Sequence, residues 1–232
     1  MTADLLSARS ALVVAPHPDD ESLGCGGLIA ALSEVGATLG VLFVTDGGAS
    51  HPRSRAWPRP RLAMRRAEEA ATALAALGAA GAARLHLDLP DAGIEPGDPA
   101  WRAALTGATA FVAAIRPEIV LAPWRRDPHC DHRHAHALTR EVLARGGCEP
   151  RLLEYAIWLD ELGAPEDRPQ PGEVDVVSLD IAPWRVHKRI AVAAHRSQLG
   201  QIVDDDPDGF ALSARTVTRL TSGPEIYFEA RA

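Results

Sequence analysis

The chain has 232 residues and a formal net charge of −7, with 47% hydrophobic and 24% charged residues. This composition is that of an ordinary soluble globular protein, and the length fits a single α/β domain over residues 1–232. Nucleic-acid-binding domains normally present a basic face, so the acidic balance predicts that the chain has no nucleic-acid partner.

The N-terminal segment and the cysteines predict a cytoplasmic protein that does not bind membranes. The segment lacks the basic region and the long apolar run of a signal peptide, and its apolar run at 11–15 is too short to span a bilayer. The three cysteines have no framework spacing, which fits a reducing compartment better than a disulfide-linked secreted protein. Whether the chain forms a homo-oligomer stays open.

Short apolar runs alternate along the chain with longer amphipathic segments. The short runs predict strands at residues 11–15, 38–48, 83–91, 118–123, 151–160, 174–181 and 224–230. Segments with apolar residues at helical spacing predict helices at residues 22–36, 61–78, 100–115, 132–145 and 183–199. Residues 161–172, rich in proline and glycine, predict a loop. This alternation predicts an α/β fold with a mainly parallel central sheet that is covered on both faces.

Three polar clusters follow predicted strands. PHPDDE (16–21) follows the first strand, TDGG (45–48) ends the second, and WRRDPHCDH (124–132) follows the strand at 118–123. Right-handed crossovers place the loops after parallel strands at the carboxyl edge of the sheet, where ligands of open α/β sheets bind. We therefore expect the three clusters to meet at one edge, although they are far apart in sequence.

The histidines and aspartates of these clusters suit a catalytic zinc site. His17 and Asp20 leave the first strand on one tight turn, and His132 ends the downstream cluster. Imidazole and carboxylate groups are good ligands for Zn²⁺, and three protein ligands leave a fourth position open, as in catalytic zinc sites. The cysteines lack the CxxC spacing of a structural site. We predict Zn²⁺ as the cofactor, with another divalent metal as the alternative.

Neighbouring side chains could supply the other groups that amide hydrolysis needs. Asp19 could take a proton from zinc-activated water and deliver it to a leaving group. His129, as an imidazolium or as a neutral donor, could stabilise the oxyanion that forms when water attacks a carbonyl. Asp131 could hydrogen-bond a nearby imidazole and fix its tautomer.

Simpler explanations of these motifs stay open from the residues alone. Asp19 or Asp20 could cap the helix that follows the first strand. His132 and His136 lie four residues apart and could share one helical face as metal ligands. The glycines of GCGG (24–27) lack the GxGxxG spacing of a dinucleotide site, and we expect them to let the first helix pack close to the sheet.

PHPDDE and the downstream DPHCDH (127–132) together resemble the LmbE-like, or PIG-L-type, N-acetylglucosaminyl deacetylases. Three weaker segments are similar to the same family, so that the resemblance spans roughly residues 11–200: VTDGG (44–48), RRAEEAATALAALG (65–78) and KRIAVAAHRSQ (188–198). Cys130 stands where many relatives have proline. Since Cys130 is no proposed ligand, we expect the chemistry to be intact.

The resemblance implies a Rossmann-like three-layer sandwich and a divalent metal, usually zinc. It also implies hydrolysis of the N-acetyl group of an N-acetylglucosamine conjugate to acetate and a free amine. Carried over by motif, the metal ligands are His17, Asp20 and His132, the general base is Asp19, and His129 stabilises the oxyanion.

Three further residues are predicted to contact the substrate. The resemblance implies that Arg66 lies near the sugar or its aglycone. Trp124, which opens the downstream polar cluster, is the tryptophan best placed in sequence to line a sugar pocket. His195 could reach the site from the last predicted helix, or could be a hydrogen-bonded helix residue.

We therefore predict a zinc-dependent hydrolase that removes the N-acetyl group from an N-acetylglucosamine-type sugar conjugate, which would be its small-molecule partner. One alternative is an amidase that acts on a larger conjugate, such as a thiol-sugar adduct. Another is a non-catalytic metal- or sugar-binding protein. Asp19 and His129 argue against the last alternative, because binding alone has no need for a base.

Overall fold

The centre of the protein is a seven-stranded sheet within residues 5–231, the part of the chain that the computed structural model describes. Its strands are β1 Ser10–Ala15, β2 Thr38–Thr45, β3 Ala83–Leu89, β4 Ile119–Pro123, β5 Arg151–Tyr155, β6 Val174–Leu179 and β7 Glu225–Ala230. They lie in the order β3-β2-β1-β4-β5-β7-β6. The first five strands are parallel, and β7 runs antiparallel to both β5 and β6. The predicted mainly parallel sheet is confirmed.

Helices cover both faces of this sheet. Their bounds are α1 Asp20–Glu34, α2 Arg59–Ala76, α3 Pro99–Ile115, α4 Cys130–Gly146, α5 Leu159–Leu162, α6 Arg185–Ala194 and α7 Ala214–Ser222. One apolar core joins the sheet to α1, α2 and α6, and a second joins it to α3 and α4. The structure is therefore the predicted three-layer sandwich. No helix of the described residues has both the length and the apolar character needed to cross a bilayer.

Strand β1 shows why the predicted strands are continuous apolar runs. Val13 packs into the core on one face of the sheet, and Leu12 and Val14 pack into the core on the other. Side chains of a strand alternate between the faces, so a strand covered on both sides has no solvent-facing position for polar residues.

The glycines of GCGG allow α1 to approach the sheet, as predicted. A Cβ atom at Gly24 would lie 2.3 Å from the ring of Tyr155, and one at Gly27 would lie 2.3 Å from the side chain of Ile181. Both distances are far below van der Waals contact. Alanine at either position would therefore push α1 away from the sheet.

The structure differs from the sequence prediction in two segments. The strand predicted over 151–160 ends at Tyr155, because the next backbone N–H groups, of Ile157 and Trp158, bond the Asp127 carboxylate rather than a strand. The predicted loop 161–172 contains the end of α5 and a 3-10 turn. Helix α7 lies in a stretch for which no element is predicted, and Ser213 caps its first turn.

The order of the strands decides where a site can form. The chain moves outward from β1 to β2 and β3, and then returns to the other side of β1 with β4 and β5. The loops after β1 and β4 therefore diverge and leave a crevice at the carboxyl ends of these strands, which is the usual ligand site of such sheets. PHPDDE and DPHCDH occupy these two loops.

Candidate active site

A cavity of about 470 Å³ opens at the carboxyl edge of the sheet. Each loop after a parallel strand contributes to its wall: His17 follows β1, Ser50 follows β2, Asp91 follows β3, His129 follows β4, and Trp158 follows β5. The volume lies in the usual range for small-molecule sites. The carboxyl edge of the sheet thus brings together residues that are more than a hundred positions apart, such as His17 and His129.

The turn that carries the first cluster is fixed by its backbone. Thr45 donates two hydrogen bonds to the Pro16 carbonyl, from its N–H at 2.9 Å and its hydroxyl at 2.8 Å. Asp19 follows with φ 151° and ψ −27°, a strained conformation for a residue with a side chain. Its backbone N–H donates to Glu21 Oε2 at 2.9 Å. The strained turn separates the directions of two adjacent carboxylates.

Asp19 precedes α1 without capping it through its side chain. Its carbonyl accepts a hydrogen bond from the N–H of Leu23 at 2.9 Å, but its carboxylate makes no cap bond. The carboxylate instead lies in the cavity wall. A simple helix-capping role therefore does not explain Asp19.

Three side chains bring potential ligand atoms together at the floor of the cavity. Asp20 Oδ2 lies 3.2 Å from His17 Nδ1 and 3.3 Å from His132 Nε2. The ligand atoms of the three residues all lie within 4.8 Å of one another, and all three residues are buried. Two imidazoles and a carboxylate at this spacing fit a divalent cation.

The surroundings of the two imidazoles support this fit. His132 is fully buried, and neither ring nitrogen has a well-aligned hydrogen-bond partner among the described residues. Asp127 Oδ1 lies 3.5 Å from His132 Nδ1, and Asp131 Oδ2 lies 3.1 Å from His17 Nε2. Each outer carboxylate thus favours a proton on the nitrogen beside it and leaves the other nitrogen free to bind a metal.

Two competing ligand sets are less suitable. His17, His129 and Asp131 also lie close together. However, His129 Nδ1 accepts the backbone N–H of Asp131, while Asp131 Oδ2 pairs with His17 and accepts the N–H of Ala92. His136 directs its Nδ1 to the Pro123 carbonyl at 3.2 Å, so it does not face His132 as a second ligand.

The metal-free ligand set binds protons tightly. Burial alone would lower the pKa of His132, but Asp20 and Asp127 outweigh it and raise the pKa to about 9. For His17, burial is likewise outweighed by Asp131, Asp20 and Asp91, and its pKa lies well above the ordinary value. Burial would raise the pKa of Asp20, yet the two imidazoles hold it well below its usual range. In the absence of a metal, the surrounding carboxylates therefore favour the protonated form of both imidazoles.

Metal binding should release protons, because a metal ligand must be a neutral imidazole. At pH 7 we expect about two protons to leave per metal bound. The apparent affinity for the metal should rise with pH until the pH exceeds the raised pKa values of His17 and His132, and should then level off. Isothermal titration calorimetry in two buffers of different ionisation enthalpy measures the number of protons released per metal bound. Metal binding without proton release at pH 7 would contradict the assignment of these two ligands.

Asp19 has the properties of a general base. Burial raises its pKa to about 6; Arg66 opposes the rise and Asp20 adds to it. A base with a pKa near the working pH transfers protons efficiently. The guanidinium of Arg66 lies 3.2 Å from Asp19 Oδ1 and also donates to the carbonyls of Gly47 at 2.7 Å and Pro18 at 3.0 Å. Arg66 lines the cavity, but these bonds hold its guanidinium against Asp19 and the two carbonyls. Its contact with the sugar or the aglycone stays a prediction.

His129 is a neutral hydrogen-bond donor. It is the N-cap of α4, where its Nδ1 accepts the backbone N–H of Asp131 at 3.2 Å. Burial, reinforced by the charges of His17 and His132, lowers the pKa of His129 to about 4. A neutral ring that accepts at Nδ1 carries its proton at Nε2. The sequence left imidazolium and neutral donor open, and the structure favours the neutral form.

The prediction that Trp124 lines a sugar pocket is wrong. Its side chain is fully buried, packs edge-on against Phe228, and donates from Nε1 to the Asp167 carbonyl at 2.6 Å. Its position directly after β4 turns the ring toward β7 rather than toward the cavity. Trp158, on the neighbouring loop, lines the cavity instead.

His195 also lies outside the cavity wall, which corrects its assignment to the substrate. It is 1% exposed, and its Nε2 lies 3.1 Å from Glu21 Oε1 and 3.2 Å from Ser22 Oγ. Since the other oxygen of Glu21 holds the Asp19 backbone, His195 and Glu21 support the strained turn from behind. Glu21, whose role the motif alone does not reveal, is thus a positioning residue.

Asp127 is the residue that sequence reasoning missed. Besides its position beside His132, it accepts backbone N–H groups from His129 at 3.0 Å and from Ile157 and Trp158 at 3.2 Å. It therefore links His132 to the backbone of two loops. Its place at the start of DPHCDH is the only hint in the sequence.

Asp127→Asn is expected to weaken metal affinity about 10–100-fold, because the outer carboxylate that orients His132 is lost. Competition with a chromophoric chelator measures the change. Asp98→Asn is the matched control, since Asp98 also accepts a backbone N–H, from Trp101, but lies at the start of α3 away from the ligands. Equal affinities in both variants and the wild type would contradict the role of Asp127.

Comparisons with known proteins agree with the geometry. The family model described as GlcNAc-PI de-N-acetylase (PIG-L) matches residues 12–143. The 1D-myo-inositol 2-acetamido-2-deoxy-alpha-D-glucopyranoside deacetylase of Saccharomonospora viridis is 31% identical over 87% of this chain and 88% of its own. The enzyme of the same name from Mycobacteroides abscessus is 27% identical over 90% and 87%.

A solved structure shares the fold. The N,N'-diacetylchitobiose deacetylase of Pyrococcus horikoshii superposes with a TM-score of 0.66 and 23% sequence identity, over 86% of this chain and 73% of its own. At 23% identity, this similarity supports a shared fold and nothing further. The family is shown by the match to the family model and by the sequence relatives.

Proposed function

Because the chain belongs to the GlcNAc-PI de-N-acetylase (PIG-L) family, we propose that it is a zinc-dependent deacetylase of an N-acetylglucosamine-type sugar conjugate. The products would be acetate and the free amino sugar. The two sequence relatives described above are named as deacetylases of a 2-acetamido sugar conjugate, which supports the reaction class.

One observation carries the proposal. Two members of the three-residue ligand set, His17 and Asp20, line the cavity, and a buried carboxylate and a neutral imidazole that the set does not use lie in the same wall. Asp19 and His129 are these two groups. A protein that only stored metal or bound sugar would gain nothing from a strained, buried base next to the ligands.

The ligand set fits zinc by its donor types. Two imidazole nitrogens and one carboxylate oxygen are a common set for catalytic Zn²⁺, with a position left for water or substrate. When bound, the cation supplies Lewis-acid chemistry, which lowers the pKa of water and polarises a carbonyl. His17, Asp20 and His132 would hold it, while Asp131 and Asp127 keep the two imidazoles in the binding tautomer.

The remaining steps belong to side chains of the chain itself. Asp19 takes a proton from the attacking water and later delivers it to the departing nitrogen, so that it ends the cycle as it began. His129 Nε2–H donates to the carbonyl oxygen as negative charge develops there. Arg66 keeps the Asp19 carboxylate in place through the ion pair at 3.2 Å. One water is consumed, and acetate and an amine are released.

The proposal is tested by acetate release. The purified chain is stripped with a chelator, reloaded with zinc and incubated with N-acetylglucosamine, N,N'-diacetylchitobiose and N-acetylglucosaminyl inositol. We expect acetate and primary amine in equal amounts from at least one of them, and only with metal. No release from any N-acetylated sugar by the reloaded protein would reject the proposal.

A further inference from the structure

The outer part of the cavity is apolar, in contrast to its floor. Leu162 on α5 is 66% exposed and Phe210 is 38% exposed, and both line the cavity. The ring of Trp158 meets that of Phe210 edge-on, with centroids 5.8 Å apart. Leu162, Trp158 and Phe210 thus form an apolar wall at the mouth. Exposed large apolar side chains that gather at a cavity mouth indicate a binding surface.

This apolar wall is held in place by the same framework as the metal ligands. The N–H of Phe210 donates to the Ser50 carbonyl at 2.8 Å. The N–H of Trp158 donates at 3.2 Å to Asp127, the carboxylate that also lies beside His132. Trp158 and Phe210 are therefore tied by backbone hydrogen bonds to loops of the site itself.

The charges along the cavity decide between an apolar and an anionic occupant. Arg66 is the single arginine or lysine among the described residues that line the cavity, and its terminal nitrogens already contact Asp19 and two carbonyls. Asp91 and Asp208 also line the cavity. Asp91 lies beside His17, and Asp208 is paired with Arg53, so a phosphate-bearing group would meet no uncommitted guanidinium or ammonium among the residues that line the cavity.

We propose that the apolar wall is a subsite for an uncharged apolar group, of aryl or alkyl character, carried by the amino sugar that the enzyme deacetylates. This proposal rests on the proposed function and narrows its substrate class. The group can be attached through the anomeric oxygen or through the amide, since both put an apolar extension on the same sugar. Phosphorylated conjugates are expected to be poor substrates.

The test compares substrate preference in matched variants. For the wild type, we expect kcat/KM for phenyl N-acetyl-β-D-glucosaminide to exceed that for N-acetylglucosamine by about tenfold or more. Phe210→Ala and Leu162→Ala should each lower this ratio several-fold. Ile226→Ala and Val186→Ala are the controls, because these side chains have similar exposures of 40% and 66% but lie outside the cavity wall. They should keep the wild-type ratio.

Two further substrates identify how the group is attached. If kcat/KM is higher for N-octanoylglucosamine than for N-acetylglucosamine, and Phe210→Ala abolishes this difference, the wall binds the acyl chain. If only the phenyl glycoside shows this pattern, the wall binds the aglycone. Both results support an apolar subsite. Wild-type preference for N-acetylglucosamine 1-phosphate, or equal ratios in all four variants, would overturn it.

A binding measurement keeps this proposal separate from the proposed function. Calorimetry compares the affinities of phenyl β-D-glucosaminide and glucosamine, the corresponding amine products, for the wild type and Phe210→Ala. We expect about a tenfold preference for the phenyl compound that Phe210→Ala reduces. If no acetate is released from any sugar, the proposed function is rejected. The preference for the phenyl compound then still tests whether the wall binds apolar groups. Absence of this preference in the wild type, together with no kcat/KM advantage of N-octanoylglucosamine over N-acetylglucosamine, would overturn the wall's role even in an active deacetylase.

Discussion

Asp19→Asn is expected to lower kcat for deacetylation by about 10²–10⁴, the usual contribution of a positioned general base. Asparagine keeps the shape of the side chain and can still accept from Arg66, but it cannot take a proton. The metal ligands are untouched, so bound zinc should stay at the wild-type level. Steady-state kinetics combined with elemental analysis of the same preparation measures both quantities.

Asp175→Asn provides the control for this variant. Asp175 is an exposed carboxylate on β6, paired with Arg231 and remote from the cavity. Asp175→Asn changes the net charge by the same amount as Asp19→Asn, and it should leave kcat and metal content at the wild-type level. Wild-type turnover by zinc-loaded Asp19→Asn would exclude Asp19 as the base, and a parallel loss of metal would make it a ligand instead.

His132→Ala and His129→Ala are expected to fail in different ways. The first removes one of three ligands and should leave the purified protein with little bound zinc. The second removes a donor to the oxyanion, so metal should stay bound while kcat falls by about 10²–10³. Metal content by elemental analysis and kcat at saturating zinc distinguish the two outcomes.

His136→Ala is the control on the same helix. His136 lies one turn after His132 and bonds the Pro123 carbonyl, so its loss should not change zinc content. Equal loss of zinc from His129→Ala and His132→Ala would show that the roles assigned to these two histidines are wrong. Loss of zinc from both His132→Ala and His136→Ala would support the histidine pair at positions 132 and 136 instead.

Local sequence predicts those parts of the site whose positions depend on the strands of the sheet. β1 and β4 are buried on both faces, so their apolar runs are unmistakable, and the parallel order places the loops after them side by side. The convergence of residues 17–20 with 129–132 follows from that rule alone. The types of side chain in these segments predict a metal site, while the choice of His17, Asp20 and His132 as its ligands rests on the family motif and stays a prediction.

The parts that sequence does not predict depend on contacts between distant segments. The apolar run at 151–160 has the composition of one strand, yet the Asp127 carboxylate takes the N–H groups that would continue it. Trp124 and Trp158 both follow strands, and only tertiary packing directs one to the core and the other to the cavity. Phe210 comes from a stretch without periodicity and is placed by its bond to the Ser50 carbonyl.

The central claim is that one metal, held by His17, Asp20 and His132, is required for deacetylation in this cavity. The most direct test titrates zinc into chelator-stripped protein and follows acetate release from the best sugar substrate. The account predicts no turnover without metal and a linear rise to a plateau at one zinc per chain. Full turnover by the stripped protein, or a rise in His132→Ala that matches the wild type, would contradict it.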